Sequence, residues 1–203
     1  MPQLYFLRHA ESMANVKNLL AGQKEFGLST RGREEAGQLA EELAGMKPFQ
    51  RLYSSTLSRA RETAEPIAAR LKLAIIFDVR LVEQNVGIYS GMSYSELKNQ
   101  PDYEHDRSKR WDWIPKGGGE SYRMMAERLT SFLNEISSDA DASRCLIVTH
   151  AVALRVIQGA LENTLPEYPV SYPQNGEILR CDFEGLNKKN KTTWINLLTS
   201  PAE

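Results

Sequence analysis

Short apolar runs alternate along this chain with longer stretches that have the apolar spacing of amphipathic helices. A strand is apolar along its whole length when both faces of its sheet are covered, as in parallel sheets. Such runs occupy residues 4–7, 74–77 and 145–148, and residues 51–54 predict a further short strand. Helical periodicity begins near residues 30, 56, 121 and 151. The alternation predicts an α/β fold, a three-layer α/β/α sandwich with a mostly parallel central sheet.

Two further patterns complete the predicted architecture. Residues 178–183 and 193–198 indicate two antiparallel strands late in the chain. Glycine and proline breakers interrupt residues 84–119, which predicts a small helical flap. Because 203 residues is an ordinary length for one domain, we expect a single domain over residues 1–203 that carries this flap.

Capping residues and breakers predict where the helices begin and bend. Thr30 and Thr56 each precede a stretch of helical periodicity, and we expect each to be an N-cap. Pro66 lies inside the pattern that follows Thr56. We expect it to kink or split that helix, because proline has no N–H to donate and its ring clashes with the preceding turn.

The composition excludes several classes of protein. Charged residues make up 25% of the chain and hydrophobic residues 41%, which argues against a disordered or fibrous chain. Lys and Arg number 25 against 26 Asp and Glu, so general nucleic-acid binding is not expected. With neither a signal peptide nor a membrane-length apolar stretch, we expect a cytoplasmic protein without membrane partners. Cys145 and Cys181 lie in apolar runs and are expected to be buried free thiols.

Charged side chains follow each of the four predicted parallel strands. Arg8 and His9 follow the first strand, and Arg59 follows the second. Glu83 comes after the third strand, and His150 follows the fourth. Because sites in parallel α/β sheets lie beyond the carboxyl ends of the strands, we expect these five side chains to meet at one edge of the sheet.

This set of side chains suits phosphoryl transfer. Arginine forks match phosphate oxygens and remain charged, and the helix beginning near Ala151 would direct free N–H groups at an anion. A histidine nitrogen can accept the phosphoryl group covalently, while a carboxylic acid protonates the departing alcohol. No cluster of side chains has metal-ligand spacing, so we expect neither a metal nor another cofactor.

Six segments, in order, resemble the motifs of one known family. Together they are similar to the histidine phosphatase superfamily, whose fold is the phosphoglycerate mutase-like α/β sandwich. Each segment alone is weak evidence, but their common order makes the resemblance specific. The segments are 4–15 (LYFLRHAESMAN), 28–32 (LSTRG), 54–64 (SSTLSRARETA), 81–83 (LVE), 118–121 (GGES) and 148–151 (VTHA).

The resemblance implies a role for each charged residue at the sheet edge. By this analogy His9 is the nucleophile that becomes phosphorylated, and Arg8 and Arg59 clamp the phosphate. His150 would stabilise the transition state, and Glu83 would be the proton donor.

Four further residues take roles from the same resemblance. Asn15 would hydrogen-bond the phosphate, Ser12 and Gly22 would border the substrate, and Ala151 would offer its backbone N–H. The family usually has glycine where this chain has Ala10 and Ala151. If either position required a positive φ, alanine would be strained there.

Three functions remain open at this point: a phosphomonoester hydrolase, a cofactor-dependent mutase of the phosphoglycerate mutase type, and a weakly catalytic domain that binds phosphorylated ligands. Mutases of the family have a longer insertion after the acid, with two adjacent arginines. Only 66 residues separate Glu83 from His150 here, and Arg107, Lys109 and Arg110 include no adjacent arginine pair. This difference favours water as the acceptor of the phosphoryl group, and therefore hydrolysis.

The sequence therefore predicts a metal-independent phosphatase that works through a phosphohistidine at His9. Small phosphorylated metabolites are the expected substrates, although a phosphoprotein is also compatible with the pattern. Glu11 lies beside the predicted site and is the alternative to Glu83 as the acid. The pattern does not specify an oligomeric state.

Overall fold

A computed structural model describes residues 1–137 and 143–198, so the last five residues of the predicted domain lie outside the described part. Six strands form one sheet in the order β3-β2-β4-β1-β5-β6. The first four strands in sequence are mutually parallel, whereas β5 and β6 are antiparallel additions. The predicted mostly parallel sheet is therefore confirmed. The strands are β1 Gln3–Arg8, β2 Arg51–Ser54, β3 Ile75–Phe77, β4 Arg144–Thr149, β5 Glu177–Asp182 and β6 Lys191–Asn196.

Helices cover both faces of the sheet. Because strand side chains alternate between faces, Tyr5 and Leu7 of β1 pack in one apolar cluster with α2 and α3. Leu4 and Phe6 pack on the opposite face, in a cluster with α5 and α6. The predicted three layers are thus present. The helices are α1 Met13–Val16, α2 Thr30–Ala44, α3 Ser58–Leu71, α4 Tyr94–Leu97, α5 Tyr122–Ser137 and α6 Ala151–Leu161.

The third strand is not buried as its apolar sequence predicts. The side chains of Ile76 and Phe77 are 41% and 44% exposed. β3 lies at the edge of the sheet and pairs only with β2, so neighbouring strands cover it on one side alone. The guanidinium of Arg61, 5.1 Å from the ring centre of Phe77, covers part of the exposed surface.

Both predicted N-caps are wrong. Ser29 caps α2, and its side chain accepts a backbone N–H of the first turn, so Thr30 becomes the first helical residue. Leu57 stands at the N-cap of α3 in place of Thr56 and makes no side-chain hydrogen bond. The first backbone N–H of α3 instead donates to the carboxylate of Glu25 at 2.8 Å, a tertiary contact that local sequence does not announce.

Proline does not split α3, which continues as one helix from Ser58 to Leu71 with Pro66 inside it. An interior proline costs a helix about 3 kcal/mol. Ala64 and Ile67, on either side of Pro66, are fully buried in the cluster shared with α2. Burial of this face against α2 offsets the local cost.

The flap predicted at 84–119 has a small core of its own. It contains α4 and two single turns of 3-10 helix, Gly87–Tyr89 and Arg107–Lys109. Val86, Tyr89, Leu97 and Tyr103 are buried together, with Trp113 packed against them. Aromatic packing therefore replaces sheet pairing as the main stabilising contact of this segment.

Two simpler expectations also have an outcome. Cys145 and Cys181 are both buried thiols that are not joined in a disulfide, as predicted. Within residues 1–137 and 143–198, no helix is both long and apolar enough to cross a membrane.

Candidate active site

A cavity of about 430 Å³ opens beyond the carboxyl ends of the parallel strands. All the residues that the sequence nominated as catalytic or substrate-binding line it except His150, whose ring centroid lies 5.2 Å from that of His9. The fold thus brings together residues that are up to 143 positions apart in sequence, as in Arg8 and Ala151. The nominated lining residues are Arg8, His9, Ser12, Asn15, Gly22, Arg59, Glu83 and Ala151.

His9 directly follows β1 and is almost completely buried. Its Nδ1 lies 2.7 Å from the carbonyl oxygen of Ala10. A carbonyl can only accept, so Nδ1 carries the proton and Nε2 keeps its lone pair. Burial, together with the nearby charges of Arg59 and Arg8, holds the pKa of His9 well below its usual value. The imidazole is therefore neutral and nucleophilic at neutral pH.

His150 follows β4 and caps the start of α6 with its backbone. Its Nε2 and the hydroxyl oxygen of Ser55 are 2.7 Å apart, and its buried Nδ1 has no hydrogen-bond partner among the residues that the structure describes. Burial is the main cause that holds the pKa of His150 well below its usual value, with Arg59 and His9 acting in the same direction. An anion entering beside His9 would both raise that pKa and accept a hydrogen bond from the ring.

Arg59 lies in the first turn of α3 with its side chain 1% exposed. Its two terminal nitrogens donate to backbone carbonyls of Gly22 at 2.8 Å and Lys24 at 3.2 Å. Burial is the largest influence and lowers the pKa of Arg59 to about 10. Glycine is required at position 22, because φ is +53° and a Cβ would approach Val86 to 2.6 Å.

Arg8, the last residue of β1, is held in the same way as Arg59. Its Nη1 donates to the carbonyl of Pro173 at 2.5 Å, while its Nε is buried without a partner. Neither guanidinium forms an ion pair with a carboxylate in the described part of the chain. A buried guanidinium, that of Arg59, and a half-buried one, that of Arg8, therefore face the cavity without an ion-pair partner in the described part of the chain, an arrangement that favours an anionic ligand.

The Glu83 carboxylate reaches the N-terminus of α6. It accepts backbone N–H groups of Val152 at 3.1 Å and Ala153 at 3.2 Å, and that of its neighbour Gln84 at 2.9 Å. These N–H groups fix the orientation of the Glu83 carboxyl group at the start of α6. The structure thereby places one carboxyl group in the cavity lining together with the two arginines.

Glu11, the alternative acid, does not line the cavity. Its carboxylate accepts the Ser29 hydroxyl at 2.6 Å, and its backbone N–H donates to Glu35 at 2.9 Å. These contacts connect Glu11 to the start of α2. The geometry favours Glu83 over Glu11 as the acid.

Ser12 and Asn15 form a capping box on the one-turn helix α1. The side-chain oxygen of Asn15 accepts the Ser12 backbone N–H at 3.0 Å and the Ser12 hydroxyl at 2.7 Å. With its oxygen occupied, the amide nitrogen of Asn15 is the group left to donate towards the cavity. Ser12 lines the cavity, but its hydroxyl is used inside the capping box.

The two alanines that replace the family's usual glycines are not strained. Asn18, Lys72 and Asn163 are the non-glycine residues with positive φ in the described chain, so Ala10 and Ala151 both have ordinary backbone conformations. Their extra methyl groups are therefore accommodated without backbone strain.

We call the four residues Arg8, His9, Arg59 and His150 the inner end of the cavity. The opposite side, the outer wall, combines cationic and aromatic side chains. Arg110 is buried, with its guanidinium 4.8 Å from the Tyr103 ring centre. The outer wall consists of Tyr94, Lys98, Tyr103, His105, Arg107, Arg110 and Tyr172.

Most of the outer wall has no signal in the sequence. Arg107 and Arg110 are recognisable there only as flap cations, and Tyr172 follows α6, far from the flap in sequence. Tyr172 joins the wall because the Arg107 guanidinium stacks on its ring at 4.5 Å. No motif signals this contact; the only local hint is the tyrosine- and proline-rich composition around Tyr172.

No group of three or more His, Cys, Asp or Glu residues within 1–137 and 143–198 could hold a metal ion. The positive charge at the inner end comes from the two arginines. The arrangement can bind a phosphoryl group, present a histidine lone pair to it, and offer a carboxyl group to the departing oxygen.

Comparison with known proteins points to one family. The profile of the histidine phosphatase superfamily (branch 1) matches residues 4–194. Phosphoglycerate mutase-like protein 4 of Arabidopsis thaliana is 34% identical over 156 residues, which cover 75% of this chain and 68% of the relative. Probable phosphoglycerate mutase GpmB of Proteus mirabilis is 30% identical over 200 residues, covering 96% of this chain and 88% of the relative.

Solved structures with the same fold include two named as phosphatases. A mycobacterial glucosyl-3-phosphoglycerate phosphatase superposes with a TM-score of 0.76 at 25% identity, covering 89% of both chains. The alpha-ribazole phosphatase from Shigella flexneri superposes with a TM-score of 0.77 at 25% identity, covering 91% of this chain and 92% of its own. These likenesses indicate a phosphatase or a mutase.

Proposed function

The chain belongs to the histidine phosphatase superfamily, branch 1, and on that premise we propose that it hydrolyses phosphomonoesters through a phosphohistidine at His9. The observation that carries the proposal is the hydrogen bond from Nδ1 of His9 to the Ala10 carbonyl. This bond leaves the Nε2 lone pair available, in a cavity where Arg8 and Arg59 form no ion pair with a carboxylate of the described residues.

The first chemical step forms the phosphohistidine. Nε2 of His9 attacks phosphorus and forms the N–P bond, while the bond to the leaving alcohol breaks with both electrons going to its oxygen. Glu83 gives its proton to that oxygen, and Arg8 stabilises the charge on the transferring group.

The second step releases inorganic phosphate. A water molecule attacks the phosphorus of the phosphohistidine, Glu83 takes the proton of that water, and the N–P bond breaks with its electrons returning to Nε2. His150 donates a hydrogen bond to the transferring group in both steps. Its unpartnered Nδ1 supports this role, since no protein group occupies that nitrogen.

Hydrolysis is favoured over transfer to a second substrate oxygen because water can reach the cavity. Tyr94, Lys98, His105 and Arg107 of the outer wall are exposed, so solvent borders the bound substrate. Two structural relatives are themselves named as phosphatases.

Small phosphorylated metabolites are the proposed substrates. A cavity of about 430 Å³ lies within the range of small-molecule sites. Among its described lining residues Glu83 is the only carboxylate, whereas the outer wall contains Lys98, Arg107 and Arg110. This charge favours polar metabolites such as sugar phosphates.

A mutase is the second candidate, because the two relatives described above are named for phosphoglycerate mutation. Its signature is transfer of the phosphoryl group to another oxygen of the substrate without net release of phosphate. Measuring isomerised product and free phosphate from the same 3-phosphoglycerate reaction separates the two functions.

The test is phosphate release from a metabolite panel with EDTA present, for the wild type and His9→Ala. We expect wild-type turnover to persist in EDTA and the variant to be inactive. Acid-labile phosphate should be trapped on the wild type during turnover and be absent from His9→Ala. His105→Ala, in the exposed outer wall, should still form the acid-labile phosphate and is therefore the control for histidine loss in the trapping experiment. Full turnover by His9→Ala, or activity lost in EDTA and restored by a divalent ion, would overturn the proposal.

A further inference from the structure

The segment that precedes β5 lies against the nucleophile. β5 pairs antiparallel with β1, with Leu7 opposite Ile178. Just before β5 the N–H of Gly176 donates to the carbonyl of Arg8 at the end of β1, so the preceding residue, Asn175, lies near the backbone of the nucleophile. The sequence motifs contain no part of this segment.

The amide of Asn175 contacts the backbone around His9. Its Nδ2 donates to the carbonyl of His9 at 2.9 Å and lies 3.2 Å from the carbonyl of Ala10. The Ala10 carbonyl is the same oxygen that accepts the proton of His9 Nδ1 at 2.7 Å. The group that fixes the tautomer of the nucleophile is therefore itself held by Asn175.

A third contact of the same nitrogen reaches the phosphate-facing amide. Nδ2 of Asn175 lies 3.3 Å from the side-chain oxygen of Asn15, which also accepts two hydrogen bonds from Ser12. This contact helps keep the Asn15 oxygen turned away from the cavity. One side chain thus orients two groups that face the substrate, although it does not line the cavity itself.

The backbone on both sides of Asn175 is fixed to Arg8. The Gly176 N–H donates to the Arg8 carbonyl at 3.1 Å, and the Pro173 carbonyl accepts Nη1 of Arg8 at 2.5 Å. Gly176 has φ +75°, and a Cβ there would meet Leu198 at 2.3 Å, so the turn depends on glycine. These contacts hold the Asn175 amide in place.

From these contacts we infer that Asn175 is a positioning residue for the nucleophile. It holds the Ala10 carbonyl where that oxygen keeps the His9 proton on Nδ1 and directs Nε2 at phosphorus. This inference rests on the proposed function for its catalytic consequence. The part that concerns the His9 tautomer can be measured whether or not the protein turns over a substrate.

Two variants test the positioning role of Asn175. Asn175→Asp keeps the side-chain shape but replaces the donor by oxygens that only accept, and Asn175→Ala removes the group. Small misplacements of reacting groups lower the rate of the chemical step strongly. We therefore expect kcat with p-nitrophenyl phosphate to fall about 10- to 100-fold in both variants. KM should change less than about threefold, because the arginine contacts remain. Gln174→Ala, the exposed neighbour in the same segment, is the matched control.

The decisive readout is the nitrogen spectrum of the histidines. The chain has only three, so 15N-histidine labelling gives a simple spectrum, assigned with His105→Gln and His150→Gln. We expect wild-type His9 to be a single Nδ1–H tautomer, and both Asn175 variants to show a mixture of tautomers. A purely structural role would lower the melting temperature without altering this ratio.

The outcomes separate this inference from the proposed function. If the wild type has no phosphatase activity but the His9 tautomer depends on Asn175, the proposed function fails and the positioning role stands. The positioning role is overturned, even in an active phosphatase, if the His9 tautomer is unchanged in both Asn175 variants. It is also overturned if Gln174→Ala lowers kcat as much as they do.

Discussion

The inner end and the outer wall of the cavity differ in whether their cations stack on aromatic rings. At the inner end Arg8, His9 and Arg59 each donate to backbone carbonyls at between 2.5 and 3.2 Å. In the outer wall Arg107 and Arg110 also donate to backbone carbonyls, at 3.4 and 2.9 Å, but their guanidinium groups stack on tyrosine rings as well. The inner residues extend directly from elements of the sheet sandwich, whereas most of the outer wall belongs to a flap with its own small core.

The difference indicates that catalysis and substrate selection depend on separate parts of the fold. Reacting groups must be held to within fractions of an ångström, which strand ends and fixed carbonyls provide. Stacked cations impose weaker directional constraints and can accommodate ligands of different shape. We therefore expect inner-end variants to impair every substrate and outer-wall variants to discriminate among substrates.

Glu83→Gln should give the largest effect. An alkyl alcohol leaves poorly without a proton, so hydrolysis of alkyl phosphates should slow by about 10²- to 10⁴-fold, the usual contribution of general acid catalysis. p-Nitrophenyl phosphate, whose leaving group needs no proton, should slow far less. The measurement is kcat/KM for both substrates.

Glu11→Gln is the control for this prediction, since that carboxylate lies outside the cavity. Equal losses on both substrates in Glu83→Gln would mean that Glu83 is not the proton donor. A selective loss on alkyl phosphates in Glu11→Gln would transfer the role to Glu11.

The two histidines of the inner end should make the stability of the protein depend on pH. Burial lowers the pKa of His9 and His150 in the folded protein. The unfolded chain therefore binds more protons below its histidine pKa of about 6.5, and the free energy of unfolding should fall as the pH drops from 7.5 towards 5.5. The slope of the free energy of unfolding against pH approaches about 1.4 kcal/mol per pH unit for each histidine.

Urea unfolding at several pH values measures this slope. His150→Gln should reduce it to about half, because one of two buried histidines is removed. Equal slopes in the wild type and His150→Gln would show that His150 does not cause the acid sensitivity.

Arg107→Gln should give the smallest effect. Arg107 is exposed, and exposed ion pairs contribute about 0.2–1 kcal/mol, so kcat/KM for a sugar bisphosphate should fall about two- to fivefold. Phenyl phosphate, which is too short to extend along the cavity, should be unaffected. Lys109→Gln in the same turn is the control, because Lys109 pairs with Asp106 and does not line the cavity. An equal fall in kcat/KM on both substrates would contradict the proposal that the outer wall selects substrates while the inner end carries out the chemistry.

Local sequence was sufficient for most of the fold and for the inner end. Strand-length apolar runs and helical periodicity depend on neighbours in sequence, and the charged residues at strand ends follow from the topology of parallel sheets. The same reasoning failed at β3, because an apolar run does not reveal whether a strand lies at the centre or the edge of its sheet. It failed at the start of α3 as well, where the carboxylate of Glu25 replaces a local cap.

The sequence by itself determined the α/β class, the mostly parallel sheet and the residues grouped at its carboxyl edge, since each depends on patterns a few residues long. Only the tertiary structure decided that the Glu83 carboxylate meets the start of α6 and that Asn175 lies against His9. Only it showed that Arg107 stacks on Tyr172. These contacts join residues 65 to 166 positions apart in the chain. They depend on strand order, register and packing across the whole molecule, which no local pattern encodes.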